Sequence, residues 1–298
     1  MDSINDDPAG YAGPGTLMAV LHLPGPVALD RDRVVAEVRD RLPGSGRVEA
    51  DDDGPLLVAH HAFTTDFADA GGVPIQTAVL NGRAGPTDHD KVDLSQTWGL
   101  PDAAERLTAC RHELVVSELM GRPRLPVERV AAFRAVLLAV VRQTSPSAVW
   151  WPTAGLLTDA PDEEGALLRG LVNVRMFRTE GTGGDLLMDT LGLAALGLPD
   201  VQCHYRGLDA RQVAGRLHDV ANYLFEAGDV IEDGHPVEGL DPSQYWRCQH
   251  EEAICGPRRV VLDVDPGPPF AAGDRSTGRA PRRMLDRLLG RRGRRPAE

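Results

Sequence analysis

Apolar and polar positions follow two periods along this chain, and the switches between them mark its elements. The clearest stretch is 209–228. Val213, Leu217, Val220 and Leu224 recur at spacings of four, three and four, which lines one face of a helix. Ala214, Ala221 and Phe225 widen that face, while Arg211, Arg216, Asp219 and Glu226 point away. Asp209 stands where an N-cap carboxylate accepts a first-turn N–H, and Gly228 where a helix ends. Gly215, unfavourable in mid-helix, predicts close approach of another backbone. Just upstream, Val201, Cys203 and Tyr205 alternate with Gln202 and His204, the period of a half-buried strand.

The same reading gives the rest of the chain. Leu17–Leu23 is a strand, stopped by Pro24-Gly25-Pro26, and Asp30 caps a helix carrying Val34, Val35, Val38 and Leu42. Strands over Leu56–His60 and Pro74–Leu80, a helix Asp102–Ala109 and a strand His112–Met120 follow. That order, β-α-β-β-α-β, is the split βαβ plan of ferredoxin-like domains. Pro126 opens a mostly buried helix reaching Arg142, with strands at Ala148–Pro152, Leu171–Phe177, Gln244–Glu251 and Arg259–Asp263. The expected fold class is α+β, in two α/β lobes: 16–122, ferredoxin-like, and 123–265. Residues 1–15 read as disordered, and 266–298 as a linker followed by a basic tail. In that tail Met284, Leu285, Leu288 and Leu289 fall at helical spacing among arginines, a pattern for weak contact with anionic surfaces.

The run DTLGLAALGLPDVQCHYRGL and the segment YLFEAGDVIEDGHPVEG resemble an uncharacterised bacterial family, the domain of unknown function numbered 4261. The likeness is closest over residues 186–264, and the upstream stretch Thr97 to Gly121 is similar to longer members. The resemblance implies a soluble bacterial protein and brings no activity, cofactor or catalytic residue with it.

Composition narrows the function classes. A net charge of −12 argues against a nucleic-acid-binding body, which needs a positive footprint. The single lysine, Lys91, against 31 arginines reads as genome composition rather than mechanism. Cys110, Cys203, Cys248 and Cys255 show no CxxC pairing, which predicts reduced thiols. No apolar run approaches a membrane span and the acidic start is unlike a signal peptide, so a cytoplasmic location is expected.

Candidate chemistry is scattered. His204, His235, His250 and Asp263 are the candidate catalytic side chains, for metal-assisted hydrolysis. Cys248 and His250, two apart on a strand, share a face and with Asp265 form the candidate metal set. Asp263 and Asp265 likewise pair on a strand end, and Asp185, Asp189, Glu232 and Asp233 would complete an acidic cluster. The loop Glu180–Gly184 lacks the Gly-Lys-Ser/Thr ending of a phosphate-binding loop, and neither a nucleophile elbow nor a His-Glu-x-x-His helix occurs. His60-His61 on a strand place one ring inward and one outward. Trp98 and Trp150-Trp151 are aromatic anchors: of the adjacent pair one ring enters the core and the other is exposed, as an interface anchor, or covers the lobe interface. The balance of these readings is a protein-binding module without cofactor. The alternatives are the hydrolase above and an immunity-type or secretion-associated protein whose acidic surface neutralises a basic partner.

Overall fold

A computed structural model describes residues 15–48, 54–67, 71–86, 92–122, 124–179 and 184–273. The described residues divide into two compact units, Thr16–Asn173 and residues 174–273 together with Gly15. The divide falls well after the expected 122/123 boundary. The reason is long-range pairing: strand Ala148–Trp151 hydrogen-bonds to the first strand of the chain, with Val20 opposite Trp150 and His22 opposite Ala148. Residues 1–14, the loop 180–183 and the basic segment 274–298 lie outside the described residues.

The first unit has β1 (Met18–Leu23), α1 (Arg31–Arg41), β2 (Ser45–Arg47), β3 (Leu56–Phe67), β4 (Gly71–Ala84), α2 (Ala103–Ala109), β5 (His112–Leu119), α3 (Pro126–Thr144), β6 (Ala148–Trp151) and β7 (Leu156–Thr158). Asp30 caps α1 by accepting the Arg33 N–H at 3.0 Å, and Val34, Val35 and Val38 are buried beneath it. Pro126 opens α3, whose buried residues run along most of its length. The sheet order is β2-β3-β4-β5-β1-β6-β7, and every pair is antiparallel. This departs from the ferredoxin-like expectation. A split βαβ unit needs crossover helices between parallel strands, whereas β3, β4 and β5 follow one another as antiparallel neighbours. His60 is fully buried and His61 exposed, as alternation requires; Trp151 is buried and packs against Phe133 with ring centroids 6.5 Å apart.

The second unit has β8 (Asn173–Arg178), β9 (Leu186–Leu191), a 3-10 turn (Leu193–Leu196), β10 (Asp200–Tyr205), α4 (Ala210–Ala227), β11 (Pro236–Glu238), β12 (Tyr245–Glu252) and β13 (Val260–Asp265). Its sheet order is β11-β12-β13-β10-β9-β8, with β10 and β13 parallel. The Asp209 carboxylate accepts the Gln212 N–H at 2.9 Å, and Val213, Leu217, Val220, Ala221, Leu224 and Phe225 form the buried face of α4. Gly215 has no neighbour that a Cβ would meet, so the expected close approach is not there. Residues opposite one another in paired strands share a face. The sheet therefore has an apolar face, with Cys203, Tyr205, Trp246, Cys248, Leu262 and Val264 buried, and a polar one carrying Asp189, Gln202 and Asp263. α4 packs against β9 and β10.

The stretch after Pro266 is less of a linker than composition implied. The Arg206 N–H donates to the Phe270 carbonyl at 2.8 Å, the Ala272 N–H to that of His204 at 3.2 Å, and Ala271 bridges Tyr205. Among the described residues no helix is long and apolar enough to cross a membrane.

Candidate functional site

Two loops of the second unit are tied to its sheet by buried charged groups. On the polar face, Asp189 of β9 accepts a two-pronged contact from Arg175 of β8, at 2.9 and 2.6 Å, and a further bond from Arg259 at 2.7 Å. Arg259 also donates to Asp200 of β10 at 2.9 Å, whose other oxygen takes the Thr190 hydroxyl at 2.9 Å and the Leu193 N–H at 3.0 Å. Asp189, Thr190 and Asp200 are fully buried and Arg259 is 1% exposed. Burial pushes the Asp200 carboxyl above its ordinary range, and Arg259 pulls it back.

The two arginines have donors to spare, and these reach the loop 253–259. Arg175 donates to the Gly256 carbonyl, and Arg259 to those of Cys255 and Pro257, all at 2.9 Å. Gln202 adds a third hold, its amide oxygen accepting the Ile254 N–H at 2.9 Å and its nitrogen donating to Glu251 and Asp263. Buried side chains from β8 and β10, with Arg259 at the loop's own end, thus fix one loop, which presents Ile254 to solvent.

The second tie is His250, on the apolar face of β12 and only 7% exposed. Its Nδ1–H donates to Asp233 Oδ1 at 2.9 Å and its Nε2–H to Asp229 Oδ1 at 3.1 Å, while Asp233 also accepts the His250 backbone N–H at 2.8 Å. Both ring nitrogens donate to carboxylates, which requires the imidazolium. Burial pushes that ring's pKa down, but the hydrogen bonds and charges of Asp229 and Asp233 outweigh burial and hold it above the ordinary value.

The loop so held, following Gly228, forms one wall of a cleft of about 460 Å³ whose other wall is α4. Tyr223 and Val220 of α4 face Val230, Ile231 and Val237, with Arg216, Asp219 and Glu238 at the rim. Tyr223 is 51% and Val230 50% exposed, an apolar surface of the size that seats a side chain or small ligand.

Register separates the residues that sequence singled out. Asp263 lies opposite Gln249, and His250 opposite Leu262, so His250 and Asp263 project from opposite faces of the sheet. The same parity puts Cys248 with His250 and Asp265 with Asp263, so the candidate metal set Cys248, His250 and Asp265 does not converge. His250 also has no ring nitrogen left for a metal. His204 meets the Thr179 hydroxyl at 3.3 Å, and burial lowers its pKa. His235 is a surface residue 3.7 Å from Glu232. The acidic residues do not gather either: Asp189 is held by Arg175 and Arg259, Asp185 by Arg206 at 3.1 Å, and Asp233 by His250. Among the described residues no three His, Cys, Asp or Glu side chains are arranged to hold a metal ion. Arg175, Asp200, Tyr223, Asp229, Val230 and Arg259 are the site residues that sequence reasoning passed over. An arginine in a strand (Arg175) or beside one (Arg259) carries no motif, and the position of Asp229 directly after the Gly228 stop was the only available signal.

Residues 189–265, which contain the cleft, the His250 tie and all of the first tie but Arg175, match the family model described as Domain of unknown function (DUF4261). No curated protein and no solved structure matches the chain.

Proposed function

We propose that the second unit is a protein-binding module whose recognition surface is the cleft between α4 and the loop after Gly228. The observation that carries this reading is the pair of half-exposed apolar side chains, Tyr223 and Val230, on the two walls of one cleft. Tyrosine is the residue type that anchors interfaces, because its ring buries apolar area at small entropic cost while the hydroxyl stays wet. A loop clamped by His250 supports the reading further, since a wall fixed beforehand lowers the ordering cost of binding.

Site-specific photocrosslinking in native extract tests it. A photoreactive phenylalanine analogue at Tyr223 is expected to trap a discrete partner, and the same analogue at Arg211, on the outward face of α4, is not. Excess unlabelled chain should compete the product away, and the double substitution Tyr223→Ser, Val230→Ser should not. Equal labelling from both positions, or equal competition by the double variant, would remove the basis for the proposal.

A further inference from the structure

The first unit contains a separate cavity of about 500 Å³ at the N-terminal end of α1, within the usual range for small-molecule sites. Its walls are Val27 and Leu29, from the segment leading into α1, with Leu56 of β3, Val79 and Leu80 of β4 and Leu114 of β5. Register explains how the sheet supplies them: Leu56 lies opposite Val79, and Asn81 opposite Leu114, so all four residues share one face. Val27, 38% exposed, stands at its apolar mouth.

One cation lines this cavity. Arg31 donates from Nη2 to the Gly54 carbonyl at 2.6 Å, which fixes the plane of its guanidinium. Its Nη1 is buried and has no hydrogen-bond partner. Among the described residues the neighbouring acids are engaged elsewhere, Asp30 with the Arg33 N–H and Asp32 with Arg47 at 3.6 Å. A buried N–H of a charged group left without an acceptor is costly, and an arginine fork matches a carboxylate. We propose that this cavity binds a small carboxylate with an apolar tail, the carboxylate held by Arg31 and the tail lying against Leu56, Val79 and Leu114. A single guanidinium among aliphatic walls suits a monoanion; a phosphate dianion needs more donors than the cavity offers.

Calorimetric titration of the full chain with octanoate, and with octanamide as its uncharged counterpart, decides the matter. Octanoate is expected to bind at one site and octanamide about tenfold or more weaker, the factor for losing a hydrogen bond to a charged group. Arg31→Met should bring octanoate down to the octanamide level. Val27→Glu, a change at the exposed mouth, should weaken octanoate by repulsion and leave octanamide nearly unchanged. Octanoate binding indifferent to both substitutions, or no binding at millimolar octanoate by the natural chain, would overturn the assignment.

Discussion

Two histidines buried in their sheets, His60 of the first unit and His250 of the second, end in different protonation states. His60 meets only hydroxyls, Ser45 Oγ at Nδ1 and Thr77 Oγ1 at Nε2, both at 3.0 Å. Burial, and then the charge of His61, lowers its pKa from 6.5 to about 4, so the ring is neutral. His250 is buried nearly as deeply but meets two carboxylates, and its pKa is raised. Depth alone therefore does not decide the protonation state; the partners do. The contrast extends to what the groups hold. In the first unit the bonds of His60 link strand to strand, across β2, β3 and β4, whereas in the second unit charged groups fasten loops to a sheet. A loop has no ladder of its own, so charge-assisted bonds are a strong way to fix it.

The largest effect expected from this contrast is at Arg259. Arg259→Met removes the cation from two buried carboxylates, Asp189 and Asp200, and leaves Asp189 only Arg175. Breaking a buried ion pair from one side costs about 3–5 kcal/mol. Denaturant unfolding of the second unit should show that loss, and Asp200→Asn combined with Arg259→Met should recover part of it. A cost below about 1 kcal/mol would mean that the network is already hydrated.

Next comes the pH dependence of the first unit. His60 has a folded pKa depressed to about 4 against 6.5 unfolded. Its contribution is present above 6.5 and is lost as pH falls toward 4, because only the unfolded chain takes up the proton. At 1.36 kcal/mol per unit the loss is about 3 kcal/mol. His60→Gln should flatten the stability profile of this unit between pH 6.5 and 4. An equally steep profile in that variant would place the titrating group elsewhere.

How far the chain could be read before its structure follows the range of the interactions. α4 was legible from Asp209 to Gly228, because capping and face are set within a few positions. The shared face of Cys248 and His250 was legible for the same reason, as strand alternation is local. The division between the units was not, because it depends on β6 pairing with β1 across most of the first unit. Nor was the pairing of Arg259 with Asp189 and Asp200, which are distant in sequence and brought together only by the parallel register of β10 and β13. The acidic residues were visible as types, but which cation each one meets is decided by tertiary packing.

A smaller effect separates the histidines by sign. His250 has a folded pKa above 6.5, so its clamp contributes fully below 6.5 and weakens as pH rises through the folded value. On acidification the second unit should therefore gain stability as pH falls from the folded value of His250 to 6.5, whereas the first unit loses it below 6.5. Asp229→Asn removes one of the two carboxylates and should cost about 1–2 kcal/mol near pH 6 and less at pH 9. Nitrogen-15 shifts of the His250 ring report its protonation directly; a ring neutral at pH 6 would contradict the charged clamp.

The smallest effect concerns the end of the second sheet, where local bonding and composition give different answers. Composition alone marks everything after Pro266 as dispensable. However, Phe270 and Ala272 pair with the backbone at Arg206 and His204, and Ala272 is 5% exposed. These are ordinary neutral backbone bonds at an edge, worth about 1 kcal/mol each at most. A chain ending at Pro266 should thus be less stable than one ending at Gly273 by about 1–2 kcal/mol, and the difference should be insensitive to pH because no titrating pair is removed. Amide exchange localises the cause: Arg206 should lose protection in the shorter chain, while the amides of α4 keep theirs. Equal melting temperatures for the two truncations would show that the pairing of 267–273 adds nothing to the sheet. Loss of protection throughout α4 would show that it supports far more than the strand end it touches.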